Sequence, residues 1–263
     1  MKIKLNNLAM AAAAVLFISC GGGDGSAGGG SGSDENDPDV ANGNLLSARA
    51  TKNIASCFEA FDYDYRLMLT TDDVVKHAPI DDGSLLEVTY EESRISPKYN
   101  EYILKWPSGR PDQTVKIQSG GTVMEFTQED ENRVSMDRLD FSGSDAESAL
   151  NVFNNAYRQY TEKEYSEMEA RIAQASQDIS EAEREQMKGY VEARENMTFQ
   201  PLSGLGTAAY WEREMAQGNH LGVNLYVLSG TVEFRIKIKV SDDDQVNLRV
   251  AKLLAQEVLN KCE

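Results

Sequence analysis

The stretch from Gly222 to Val240, GVNLYVLSGTVEFRIKIKV, decides the fold. Val232, Phe234, Ile236, Ile238 and Val240 alternate with Glu233, Arg235, Lys237 and Lys239. Strict alternation places one set on each side of an extended chain, so this is a strand with one apolar and one charged face. An apolar run, Gly222 to Leu228, precedes it, and Ser229-Gly230 between the two reads as a two-residue hairpin loop. The expected unit is an antiparallel pair, Gly222–Leu228 with Thr231–Val240, one face in the core and one in water.

Downstream, Ser241 to Asp244 opens a closing helix whose inward stripe is Val250, Leu253, Leu254, Val258 and Leu259. Upstream, Ser144-x-x-Glu147 matches a capping box. Behind it Leu150, Phe153, Tyr157 and Tyr160 share a face, and Tyr165, Met168, Ile172, Ala175 and Ile179 continue it. Ser180 then caps a second helix carrying Met187, Tyr190, Val191, Arg194 and Met197. Residues 145–196 therefore read as a helical hairpin; its apolar stripe packs as core rather than as a coiled-coil seam, because clean heptads are too few. Further upstream the strand-like runs are Leu85–Tyr90, Tyr99–Trp106, Thr114–Gln118, Val123–Thr127 and Arg133–Phe141, with Gly120-Gly121 turning the third into the fourth. Two helices come first: Ala48–Phe61, with Ile54, Cys57, Phe58 and Phe61 inward, and one capped at Thr70 and stopped by Pro79. This order predicts an α+β domain over residues 45–263: an antiparallel sheet flanked by helices, with an inserted helical hairpin.

Composition narrows the function. The 263 residues carry 43 Asp and Glu against 26 Lys and Arg, a net charge of -17. Phosphate binding needs clustered cations, so nucleic acid is excluded as a partner. Gly204-Leu205-Gly206-Thr207-Ala208-Ala209 matches G-x-G-x-x-A, but no strand is expected before it and no helix after it, so it reads as a tight turn delivering Tyr210 and Trp211 to the core. Asp72-Asp73, Asp81-Asp82 and Asp242 to Asp244 lack the alternate spacing that wraps calcium. His77 and His220 stand outside any metal-ligand motif and read as surface or capping residues. Asn196-Met197-Thr198 matches the N-x-T pattern of a glycosylation acceptor. Tyr63, Tyr65, Tyr99, Tyr102, Trp106, Tyr210 and Trp211 read as core or cross-strand pairs rather than a ligand groove. No catalytic residue, metal site or cofactor is expected.

The N-terminus adds location. Lys2 and Lys4 precede an uncharged apolar run, Leu8 to Ile18, of 11 residues. A spanning helix needs about 20, so this is a signal-type segment. It ends in Phe17-Ile18-Ser19-Cys20, where the chain resembles a bacterial lipoprotein precursor. The resemblance implies a signal peptide over 1–19, acylation of Cys20, and an anchor in a bilayer. Residues 20–44 form a Gly-, Ser- and Asp-rich tether with a reach of roughly 25–30 Å. Its acids, Asp24, Asp34, Glu35, Asp37 and Asp39, resemble the surface-export signals of Bacteroidota lipoproteins. Gly21 after the cysteine corresponds to outer-membrane sorting. Leu69 to Val74, Tyr102 to Trp106, Gly204 to Gly206, Ala209 to Trp211 and the Leu225–Val240 hairpin are similar to a family of exported bacterial lipoproteins with no known catalytic residues, some resembling PsbP-like sheets.

With Cys20 lipidated, Cys57 and Cys262 remain. Export favours disulfides, so the pair invites one bridge; the alternative is two separate buried thiols. The expected function is a membrane-anchored, periplasm- or surface-facing lipoprotein that binds a protein partner through residues 145–196 or serves structurally, without catalysis. The alternative is a cell-envelope hydrolase or carbohydrate-binding module.

Overall fold

The alternating stretch becomes the middle of a seven-stranded sheet. The computed structural model describes residues 48–80, 86–119, 122–175, 198–216 and 219–262, with residues 180, 181, 185, 187–189 and 191. The expectations on segments 1–19 and 20–44, on Cys20, Asp81-Asp82, Leu85, the Gly120-Gly121 turn, and Ile179, Tyr190, Arg194 and Met197 lie outside the described residues.

The strands are β1 (Glu87–Glu91), β2 (Glu101–Pro107), β3 (Gln113–Ser119), β4 (Thr122–Gln128), β5 (Glu131–Phe141), β6 (Gln200–Leu202), β7 (Ala208–Ala216), β8 (Asn219–Ser229) and β9 (Val232–Lys239). The main sheet runs β1-β2-β5-β9-β8-β7-β6, every neighbouring pair antiparallel, and β3 pairs with β4 in a separate two-stranded sheet. Among the helices are α1 (Ala48–Glu59), α2 (Tyr65–Met68), α3 (Thr71–His77), α4 (Ala146–Tyr157), α5 (Glu162–Ala175) and α6 (Asp244–Asn260). The fold is α+β, as the patterning predicts.

On one face the apolar alternates of β9 are all buried. Tyr102, Leu104, Trp106, Val134, Met136, Val223, Leu225 and Val227 extend that layer across the neighbouring strands. α6 packs on β8 and β9, α1 on β9 and α2 on β2. Leu248, Ala251, Leu254, Ala255, Val258 and Leu259 form the stripe that α6 buries. Leu253, expected inside, is exposed, because the helix presents the Leu254 side of its surface to the sheet.

Several local expectations shift. The β8–β9 loop is Gly230-Thr231, and Ser229 pairs with Val232. Gly230 has φ +61°, and only the first loop position needs that conformation, so glycine takes it and the register moves by one residue. Helix α4 is capped by Asp145, whose side chain accepts from the Ser148 amide, rather than by Ser144. The reciprocal box lies further on: the Thr161 amide donates to Glu164 (2.9 Å) and the Glu164 amide to Thr161 Oγ1 (3.3 Å). It starts α5 after a break at Arg158, so the first arm of the expected hairpin is two helices. Ala208–Ala216, which the expected Gly204–Ala209 turn overlaps only at its end, form β7. The short α2 was not anticipated; Asp64 caps it and its four residues are too few to show a period.

Cys57 and Cys262 are joined, with Cα atoms 5.5 Å apart across 205 residues of sequence. Lys261 Nζ reaches the Met68 carbonyl (2.8 Å) and Asp73 (2.7 Å) beside them, so the end of α6 is tied to the start of the fold. In the loop-entropy account a bridge closing 205 residues is worth about 5.4 kcal/mol. The double variant C57S/C262S should lose about that much in urea unfolding, and reduction of the wild-type chain should reproduce the loss.

Candidate functional site

The second face of the sheet, expected to be wet, is where the ionisable groups converge. One row of paired residues crosses it from β1 to β7: Glu91, Glu101, Asp137, Arg235, Tyr226 and Tyr210. The adjacent row contains Ile103, Ser135, Lys237, Asn224 and Glu212. Ser135, Asp137, Glu212, Asn224 and Tyr226 are buried, so the expectation of a solvated face is corrected. Charge at these positions does not require water, because each group meets an opposite charge or a donor from the next strand.

Arg235 forks onto Asp137, with Nε on Oδ1 at 2.7 Å and Nη2 on Oδ2 at 2.5 Å. Its guanidinium lies 5.7 Å from the centre of the Tyr226 ring. Lys237 bridges Asp137 Oδ2 (3.0 Å) and Glu101 Oε1 (3.2 Å). The same Glu101 oxygen accepts from Arg133 Nη2 (2.7 Å) and Ser135 Oγ (3.0 Å). Burial alone would raise the pKa of Asp137, but Arg235 and Lys237 outweigh it and hold the carboxylate below its ordinary range.

Helix α4 covers the end of this face nearest β7. Phe153 and Tyr157 pack with Phe199, Tyr226 and Leu228. Tyr157 OH donates to Glu233 Oε1 (2.5 Å), and Arg138 Nε lies 3.2 Å from the same oxygen. Arg138 has φ +58° at the bulge that shifts β5 register between Asp137 and Asp140. Burial dominates here: it raises the Glu233 pKa despite Arg138 and the Tyr157 hydrogen bond, and raises that of Tyr157.

Glu212 accepts from Tyr226 OH (2.7 Å) and Asn224 Nδ2 (3.2 Å). Glu214 lies two residues along β7 on the same side, half-buried, its pKa raised by burial. Among the described residues, Arg133 Nε and Asn224 Oδ1 are buried without a hydrogen-bond partner. Two cavities open elsewhere. One of about 200 Å³ is lined by Tyr160, Glu164, Glu167, Met168 and Arg171. A broader groove of about 590 Å³ runs between the α1–α2 turn and the β1 edge.

The candidates from sequence separate accordingly. Cys57 and Cys262 are brought together; Cys20 lies outside the described residues. Gly204 and Gly206 both have positive φ, and a Cβ on Gly206 would lie 2.5 Å from the Leu228 carbonyl oxygen. Thr207 donates its amide to that oxygen (2.7 Å), and β7 follows, so the G-x-G-x-x-A run is a strand-to-strand turn. His77 and His220, read as isolated, each meet a carboxylate of α6: Glu257 and Asp244, both at 2.7 Å. Asp243 caps α6 and Asp73 pairs with Lys261. Tyr65, Tyr102, Trp106 and Trp211 are core, while Tyr99 is exposed. Among the described residues no three His, Cys, Asp or Glu are grouped to hold a metal ion. No protein family, curated protein or solved structure is significantly similar to the chain.

Removing one partner of a buried pair strands the other charge, a loss of about 3–5 kcal/mol. Asp137→Asn should lower stability by that order at pH 7. Because the folded-state pKa of Asp137 is depressed, its contribution is complete above the unfolded value of about 3.9 and disappears as pH falls through the folded value. Urea titrations at stepped pH should therefore show D137N and wild type converging in acid.

Proposed function

We propose that the chain is a lipid-anchored envelope module that binds a protein partner through the surface of residues 145–196 and performs no catalysis. The observation that carries this reading is the internal pairing of the sheet's second face. Glu101, Asp137 and Glu233 each hold a cation of this chain at hydrogen-bond or ion-pair distance. Groups committed to one another stiffen a scaffold and are not poised for a reacting atom. The helical segment supports the partner surface: α4 leaves Val152 53% exposed, and the 200 Å³ cavity lies on the Tyr160–Arg171 stretch. Arg158 and Glu164 pair there at 2.5 Å, which draws the Glu164 pKa down to about 2 and fixes the α4–α5 corner.

The anchor is read from Lys2, Lys4, the Leu8–Ile18 run and Ser19-Cys20. Replacing Cys20 with Ser should move the protein from the membrane pellet to the soluble fraction and abolish incorporation of labelled palmitate; unchanged fractionation would sink the anchor. Met168→Asp, on the rim of the α5 cavity, should remove any partner crosslinked in intact envelopes while leaving the melting temperature within a few degrees.

One observation favours the hydrolase alternative. Glu212 and Glu214 present two carboxylates on one face of β7, and burial raises the pKa of Glu214. Glu214→Gln should leave partner crosslinking intact. Loss of glycan turnover by purified envelopes in E214Q, with crosslinking retained, would favour the enzyme instead.

A further inference from the structure

The two edges of the sheet differ. β6 has three residues and contains Pro201, which has no amide proton to offer, so that edge is blunted. β1 has five residues, no proline and, among the described residues, one neighbour only, β2. Its two faces carry opposite chemistry. Glu87 and Glu91 share the face of the charged rows and are exposed; Glu92 follows, also exposed. None of the three forms an ion pair with a described cation. Glu91 sits opposite Glu101, whose own charge is already taken up by Arg133 and Lys237.

The other face of β1 is apolar. Val88 is 49% exposed, and Tyr90 borders the 590 Å³ groove, where Phe61, Leu67 and Pro97 supply the apolar lining among charged Asp62, Asp64, Arg66 and Glu92. Leu67 is 53% exposed in that groove, and Ile95, on the loop after β1, is 73% exposed. The wall is firm: Tyr90 OH donates to the Tyr63 carbonyl (2.9 Å) and accepts from Asn100 Nδ2 (2.9 Å), and Arg66 lies over the Tyr90 ring at 4.7 Å.

We propose that β1 takes up an extended polypeptide segment in which basic and apolar residues alternate, as an eighth strand. Register dictates the pattern. An added strand must set alternate residues beside Glu87 and Glu91 on one face and beside Val88 and Tyr90 on the other. Lys or Arg on the first face would pair with Glu91, which faces Glu101 rather than a cation, and with Glu87, whose cross-strand neighbour Lys105 is already paired with Glu131. An apolar side chain on the second face covers Val88 or enters the groove beside Leu67. A second copy of this chain is a poor occupant: antiparallel pairing of two β1 edges centred on Thr89 would place Glu87 against Glu91 of the other copy at both ends. This site is separate from the partner surface assigned to residues 145–196 and does not depend on it.

The probes are two blocked peptides, Lys-Val-Lys-Val-Lys-Val-Lys and its Glu-Val counterpart, titrated into the full-length chain. The Lys-Val peptide should bind at least tenfold more tightly than the Glu-Val peptide and slow amide hydrogen exchange in residues 87–91. Glu87→Lys with Glu91→Lys should reverse the preference, and Leu67→Asp should weaken binding of the Lys-Val peptide. Both variants must retain the wild-type melting temperature within a few degrees; should E87K/E91K fail that check, Glu87→Gln with Glu91→Gln replaces it and should abolish the preference. Equal affinity for both peptides, or binding without added protection in residues 87–91, overturns the proposal. So does sedimentation showing a dimer that E87K/E91K disrupts. Met168→Asp should leave peptide binding unchanged, so failure of the helical partner surface and failure of this edge are told apart.

Discussion

The bidentate contact between Arg235 and Asp137 sits at the centre of the molecule. β9 is the fourth of seven strands, and both its faces are covered near that contact. An apolar residue at position 235 would fill the space but would not select which neighbour lies beside β9. Arg235 does select, because its fork needs a carboxylate at the matching height on β5, and a slip of one residue would turn Asp137 to the other face. Lys237 then couples Asp137 to Glu101, so the register of β2 is tied to the same pair. Burying so much charge adds little net stability over an apolar core of the same volume. Its physical product is one alignment for three strands that are distant in sequence.

The bulge in β5 follows from this arrangement. Asp137 must face Arg235, and Leu139 must face the helices, where it is fully buried. Two residues apart, they would ordinarily share a face. Arg138 at φ +58° inserts the extra residue that rotates the strand between them. The buried Tyr65 hydroxyl holds the result, accepting from the Leu139 amide (2.9 Å) and donating to the Lys98 carbonyl (2.9 Å). Arg138 itself reaches Glu233 beneath Tyr157, so one irregular residue serves both the core and the α4 contact.

How much of this was legible depends on what a pattern encodes. Alternation in β9 encodes two faces, and both were assigned correctly as to polarity. It does not encode whether the polar face meets water or another strand's charge, since Arg and Lys stand at those positions in either case. The spacing of three between Met136 and Leu139, within a strand that otherwise steps by two, was a readable sign of the bulge. β7 was harder to see: Gly204 and Gly206 suggest a loop, and Glu212 and Glu214 look solvated until Tyr226 and Asn224 are placed across from Glu212. The capping-box pattern occurs at both Ser144 and Thr161. Only the second has its reciprocal bonds, because Asp145 competes for the cap at the first. The Cys57–Cys262 bridge was the expectation once Cys20 was read as an acylation site, and the joined pair bears it out over the alternative of two separate thiols.

The excess of acids over bases also shapes the surface. An acidic chain has few cations to distribute, and the sheet's centre takes Arg133, Arg235 and Lys237 for internal pairing. The cost falls on the periphery. Going outward along one row, Asp137 is paired twice, Glu101 three times with donors, and Glu91 at the edge not at all among the described residues. An edge strand with unmatched acids repels its own copies, which disfavours sheet-to-sheet association. It discriminates equally in the other direction, because a strand of opposite charge is the one that the same edge would admit. Protection against self-association and selectivity for a basic segment are therefore one physical property of β1.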